Sequence, residues 1–278
     1  MKFPLFVGPP LSLYFSCATL FAILVLGLPG CASNTTDSRA SVGEAELLTD
    51  SDDSEGRKRA RLRLELALGY FERGQTKVAL DELKQSMAAD PLYGEAHNLR
   101  GLIYMRLNDY KIAESSFRRA LEISPKDSNV LHNLGWLMCQ QAQYADADLY
   151  FNQALSNPKY QRRAKTFLAQ GLCQVKAGAN NEGAASFVKS YAIEPDNPIT
   201  SYNLATLLFN KQDTNQAQVY VRRLNNSEFA NAESLWLGIK VEQRMNNPEG
   251  VKQLGLQLLK RFSKSNEVDK YQRRAFNE

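Results

Sequence analysis

Two prolines, Pro91 and Pro125, stand 34 residues apart, and each closes a similar phrase, "AADP" and "EISP"; Pro195 closes a third, "AIEP". The segment before Pro125 reads "EAHNLRGLIYMRLNDYKIAESSFRRALEISP". Its small residues Gly101 and Ala113 suit a close approach of two antiparallel helices. Tyr104 and Phe117 are large enough to fill the space between those helices. Pro125, which has no amide hydrogen, stops the second one. A unit of this length cannot bury its apolar face alone, so copies in series must stack on one another.

Gly101, Tyr104, Ala113, Phe117, Ala120 and Pro125 together have the spacing of a tetratricopeptide repeat, and other segments resemble the same frame with losses. Tyr70, Gly74, Ala79, Leu83 and Pro91 fit a first copy, and Leu134, Gly135, Ala147, Phe151 and Ala154 a third, with Pro158 one place early. A fourth keeps Gly171, Gly178, Phe187 and Pro195; a fifth keeps Leu204, Ala205 and Ala217; a degenerate sixth begins near Asn231 with Leu237 and Gly238. The expected fold is all-α, a right-handed superhelical solenoid of about six repeats, near 60–93, 94–127, 128–163, 164–197, 198–230 and 231–264, followed by a C-terminal tail.

Ahead of the repeats the chain has a different character. Residues 11–28 carry no charge, Lys2 supplies a positive charge before them, and "LPGC" closes the run at Cys31. A permanent membrane helix would have a basic stop-transfer cluster after the run, whereas small residues suit a cleaved secretory signal. Leu28-Pro29-Gly30-Cys31 resembles the lipobox of bacterial lipoproteins, with Pro29 an unusual residue at its position. That resemblance implies a signal peptide over 1–30 and a lipidated amino terminus at Cys31, whose acyl chains would hold the protein at a membrane at roughly 0.8 kcal/mol per buried methylene. Ala32 and Ser33 follow, with no aspartate, a pattern resembling sorting to the outer membrane. Residues 31–56 then read as the lipidated terminus and a flexible tether, rich in Ser, Thr, Asp, Glu and Gly, and 57–278 as the repeat domain.

In tetratricopeptide repeats the first helix of each pair lines a concave groove, usually through positions 2, 5, 9 and 12. In the frames above these include Leu64, Leu68, Phe71, Leu102, Met105, Trp136, Leu168, Leu172, Tyr202 and Phe209 as the candidate partner-binding wall, with Glu95, Asn98, Asn129, His132 and Lys165 among the polar positions. Leu64 and Leu68 stand where the chaperone-binding subgroup places polar groups for a peptide carboxylate, which argues against C-terminal capture. An apolar groove suits an amphipathic helix or an apolar peptide segment. Packing between neighbouring repeats is the competing role for any single one of these side chains.

Catalytic chemistry has little to work with. The only histidines are His97, at an interhelical packing position, and His132. His132 and Cys139 share a helix face but lie about 10.5 Å apart along the axis at ~1.5 Å per residue, too far for one zinc. There is no Gly-rich phosphate loop, nucleophile elbow or zinc-binding helix motif, so the expectation is no enzyme, no metal and no cofactor beyond the lipid on Cys31. A net charge of +4, from 34 basic and 30 acidic side chains, gives no nucleic-acid signal. The basic run "RKRARLR" at 57–63 follows acidic neighbours and reads as the solvated start of a helix. Of the four cysteines, Cys17 lies in the signal segment, and Cys139 and Cys173 fall on first helices of adjacent repeats. In an oxidising compartment such a pair can form a disulfide; two buried free thiols is the alternative.

Two phrases narrow the family. "NLGWLMCQQAQYADADLYFNQALSNPKY" with "GLCQVKAG", and "SLWLGIKVEQRMNN" with "LLKRFSKSNE", resemble the third and fourth repeats and the last repeat and tail of type IV pilus biogenesis lipoproteins of the PilF/PilW type. Ser263, where that family often has proline, and Gly183, in place of alanine, depart from it. The resemblance implies a pilotin of a Gram-negative bacterium: lipid-anchored in the outer membrane, facing the periplasm, binding the secretin subunit and promoting its localisation and multimerisation. It implies no nucleic-acid or small-molecule partner. A general envelope adaptor, for outer-membrane assembly or for cell-wall enzymes, is the other reading of the same features.

Overall fold

The computed structural model describes residues 53–277; the signal segment, Cys31 and nearly all of the expected tether lie outside them. The described chain is helical throughout, with thirteen helices and no strand among the described residues: α1 (Glu55–Glu72), α2 (Thr76–Ala89), α3 (Gly94–Arg106), α4 (Tyr110–Ile123), α5 (Ser128–Gln140), α6 (Tyr144–Leu155), α7 (Arg163–Lys176), α8 (Asn180–Ile193), α9 (Pro198–Asn210), α10 (Thr214–Asn225), α11 (Ala232–Arg244), α12 (Pro248–Arg261) and α13 (Asn266–Gln272). Six helix pairs stack in chain order, each first helix packing on its own partner and each second helix on the first helix of the next pair. This is the tetratricopeptide-repeat solenoid that the spacing predicts.

Local chemistry explains the helix ends. Asp109, Asp127, Asn197, Asp213 and Asn247 accept backbone N–H groups at the starts of α4, α5, α9, α10 and α12, and Asn231 with Ser234 closes a reciprocal capping box on α11. Pro91, Pro125 and Pro195 each stand two residues past α2, α4 and α8, where they prevent continuation. Within every pair the turn uses one residue in the left-handed region: Gly74, Asn108, Ala142, Gly178, Gln212 and Asn246, with φ between 54° and 81°.

Size complementarity holds each pair together. A Cβ built on Gly101 would lie 2.4 Å from the Phe117 ring, and one on Gly171 2.6 Å from Phe187. Gly135 meets Phe151 at 3.0 Å by the same measure. Where alanine takes the glycine position, at Ala67 and Ala205, the corresponding residue of the second helix shrinks to Leu83 or Val221. Phe117, Phe151 and Phe187 are fully buried, the first two in one apolar cluster and Phe187 in the next.

Three boundaries gain detail in the structure. Helix α1 begins at Glu55, two residues ahead of the expected domain start at 57, because Ser54 accepts from the Arg57 amide and Glu55 sits in the favourable first turn. The end of the presumed tether is therefore helix. The basic run lies along it and is paired with acids: Arg57 with Asp90, Lys58 with Glu55, Arg61 with Asp53 and Arg63 with Glu82. Between α6 and α7 a longer link carries Pro158 early. Tyr160 is buried in it, and Arg163 donates to the Leu155 carbonyl at 2.6 Å, restoring the repeat by α7. The C-terminal tail contains α13, which closes the last repeat: Tyr271 lies over Gly255, and Phe276 stacks on Trp236 at 5.8 Å.

Deep between the fifth and sixth pairs lies one ionised group, Glu242, at 2% exposure. Burial opposes its charge, but hydrogen bonds from Arg222, Asn247 and Gln218 outweigh that cost and hold its carboxyl below the usual range.

Candidate functional site

The first helices α1, α3, α5 and α7 lie side by side and enclose an open cleft of about 470 Å³. Its floor on the first two repeats is apolar, made by Leu64, Leu68 and Leu102, and Leu68 remains 43% exposed. Beside them stand Glu72 and Glu95; further along come Asn98, Asn129 and Asn133; Arg162 and Lys165 close the fourth-repeat end. The cleft is thus apolar and acidic at one end, amide-lined in the middle and basic at the other.

The join between the third and fourth repeats is fixed by polar contacts. His132 Nδ1 and the Thr166 hydroxyl are 2.9 Å apart, and the Tyr160 hydroxyl is 3.0 Å from the same Thr166 oxygen. Burial, with the nearby charges of Lys165 and Arg162, lowers the His132 pKa to about 4, so the ring is neutral at neutral pH. Two turns further along these helices, Cys139 and Cys173 are joined as a disulfide with Cα atoms 5.8 Å apart, and both are buried. Asn133 donates to the Asn98 carboxamide oxygen at 2.9 Å, linking the second and third repeats inside the cleft.

Of the residues assigned to the groove by register, Leu64, Leu68 and Leu102 meet in this cleft. Met105, Trp136, Leu172 and Tyr202 are half-buried outside its lining and pack partly against the core. Phe71, Leu168 and Phe209 require correction: each is buried, at 8%, 8% and 7% exposure. Arg106 covers Phe71 at 3.7 Å and donates to its carbonyl, and Arg244 does the same to Phe209. Leu168 packs against Phe187 and Leu204. Register reasoning missed Glu72, Asn133 and Arg162, which stand one position off the usual groove positions or in the link before α7.

His97 is buried, with Nε2 2.9 Å from the Pro91 carbonyl, a packing position. Among the described residues no group of three or more His, Cys, Asp or Glu side chains could hold a metal ion. No described helix is long and apolar enough to cross a membrane. What the cleft offers is shape, apolar surface and separated charge.

A tetratricopeptide-repeat family model matches residues 92–159. The type IV pilus assembly protein PilF of Pseudomonas aeruginosa is 27% identical over 256 residues, 92% of this chain and 97% of its own length. The crystal structure of PilW, described as a widely conserved type IV pilus biogenesis factor, superimposes with a TM-score of 0.67 at 26% identity, covering 76% of this chain and 96% of that one. The structure of Pseudomonas aeruginosa PilF gives a TM-score of 0.72 at 24% identity over 80% of this chain and all of that one, a likeness of fold. A protein of Haemophilus influenzae is 28% identical over 118 residues, 42% of this chain and 66% of its own. The chain is thus a tetratricopeptide-repeat protein, homologous to PilF and alike in fold to PilW.

Proposed function

We propose that this protein is a type IV pilus biogenesis lipoprotein acting as a pilotin: it binds the secretin subunit through the face made by its first helices and promotes the subunit's outer-membrane localisation and multimerisation. The observation that carries the reading is the match to PilF, which runs over nearly the whole of both chains rather than over one generic repeat. The open cleft adds a physical means, because the exposed Leu68 and the half-buried Leu64 and Leu102 would bury apolar side chains of a client segment. In this reading the lipid on Cys31 supplies the membrane address, and the chain between Cys31 and α1 separates anchor from grip. The protein acts by holding and delivering rather than by catalysis.

The test is genetic and direct. In a strain carrying Cys31→Ser, heat-resistant secretin multimers should be lost from outer-membrane fractions and the subunit should accumulate as monomer. Leu68→Asp in the lipidated protein should weaken capture of the purified secretin periplasmic region while leaving the helical circular dichroism unchanged. Normal multimer levels in the Cys31→Ser strain would overturn the pilotin reading.

A further inference from the structure

Arg162 and Lys165, at the fourth-repeat end of the cleft, make no ion pair with any described residue, although nearly every cation of α1 has an acidic partner. Asp127, an acid in the same lining, accepts the amides of Asn129 and Val130 at the start of α5 and forms no ion pair with either cation. His132 adds no charge between them, being neutral. In the middle of the cleft the Asn98 oxygen accepts from Asn133, which holds the Asn98 amide in place and leaves its NH₂ group without a hydrogen-bond partner among the described residues. Two unpaired cations near a fixed amide donor, Asn98, can receive a carboxylate.

We propose that this end of the cleft selects an Asp or Glu side chain of an internal client segment, whose apolar residues meanwhile lie on Leu64, Leu68 and Leu102. The reading rests on the first-helix face being the client-binding face. Charge complementarity argues for an acidic segment: at the other end Glu72 and Glu95 would repel it, so charge also sets the direction in which the segment lies. Leu102 and Lys165 lie two helix rows apart, about 16–20 Å at the usual helix spacing. The acidic residue should therefore stand about five or six residues from the apolar one in an extended segment, or about three turns away in a helix.

The experiment is a selection from random 16-residue peptides displayed with no free carboxyl terminus, against the purified full mature chain and against its Arg162→Glu, Lys165→Glu form. Both substituted side chains are exposed, and matching thermal melts verify the fold; Lys165→Glu alone serves as the second variant. The wild-type chain should enrich peptides pairing leucine-like residues with Asp or Glu at that spacing, and the reversed chain should enrich Lys or Arg instead. Synthetic copies of the selected peptides should bind equally as free acids and as C-terminal amides. Replacing their acid by Asn or Gln should weaken binding about fivefold, more at low salt. Absence of enrichment, enrichment without acidic bias, an unchanged set on the reversed chain, or dependence on the terminal carboxylate would each overturn the proposal. Competition by the purified secretin periplasmic region is a separate readout: selected acidic peptides that the secretin fails to displace would uphold the cleft chemistry and sink the secretin as client.

Discussion

The ring of His132 lies 2.9 Å from the hydroxyl of Thr166, across the join of the third and fourth repeats and within the helix pair that the disulfide ties together. Burial first, and the charges of Lys165 and Arg162 second, lower its pKa from 6.5 to about 4. The group binds its proton less readily folded than unfolded, so protonation favours the unfolded chain. Its contribution is complete above pH 6.5 and is lost as pH falls towards 4, on the order of 3 kcal/mol. Urea unfolding at pH 7 and pH 4.5 should show a larger drop for wild type than for His132→Gln, and equal drops would disprove the assignment.

The Gly101–Phe117 contact leaves no room for a methyl group. Gly101→Ala should destabilise the chain by about 1–3 kcal/mol through overpacking, despite alanine's better helix propensity. Phe117→Leu in the same chain should restore part of the loss, since the alanine repeats use Leu83 or Val221 opposite. Thermal melts of the single and double variants measure this; additive losses would mean that the two sites do not touch.

Ala142 turns the chain between α5 and α6 with φ at 58°, in a place where two other repeats use glycine. Ala142→Gly should stabilise the protein by about 0.5–1 kcal/mol, because glycine enters this region without a Cβ clash. Gly178→Ala should cost a similar amount. A melting temperature lowered by Ala142→Gly would contradict the turn geometry.

The Cys139–Cys173 disulfide closes a sequence separation of 34 residues. Its loss should cost about 3–4 kcal/mol on the loop-entropy account. Intact mass should rise by two hydrogens on reduction, and the double Cys→Ser variant should melt below wild type in the absence of reductant. Alkylation of both cysteines in unreduced, denatured protein would show that the bond is absent.

The repeats were legible in the sequence because their rule is local and recurs: Gly101 before Phe117, Gly135 before Phe151, Gly171 before Phe187, with a proline just past the helix end. The cleft was only partly legible. Position within a repeat tells which way a Cβ points, but not what the next repeat lays over it, and Arg106 and Arg244 cover Phe71 and Phe209 from outside their own repeats. Arg162 escaped because it belongs to the lengthened link before α7, where no helical period applies. The start of α1 escaped because its first turn is held by the Ser54 cap and by ion pairs, which leave no apolar rhythm to read.

A stack of helix pairs behaves as a spring, each coil touching only its neighbours, so a pull on its ends is shared among the joins. One join in this spring is welded: α5 and α7 are bound through Cys139 and Cys173. If, as proposed, the amino terminus is held at a membrane and the cleft holds a client, tension between them would stretch the coils on either side and leave the welded pair unmoved. The cleft half that carries Asn133 and Lys165 would then keep its shape under load, and grip would be the last property the molecule gave up.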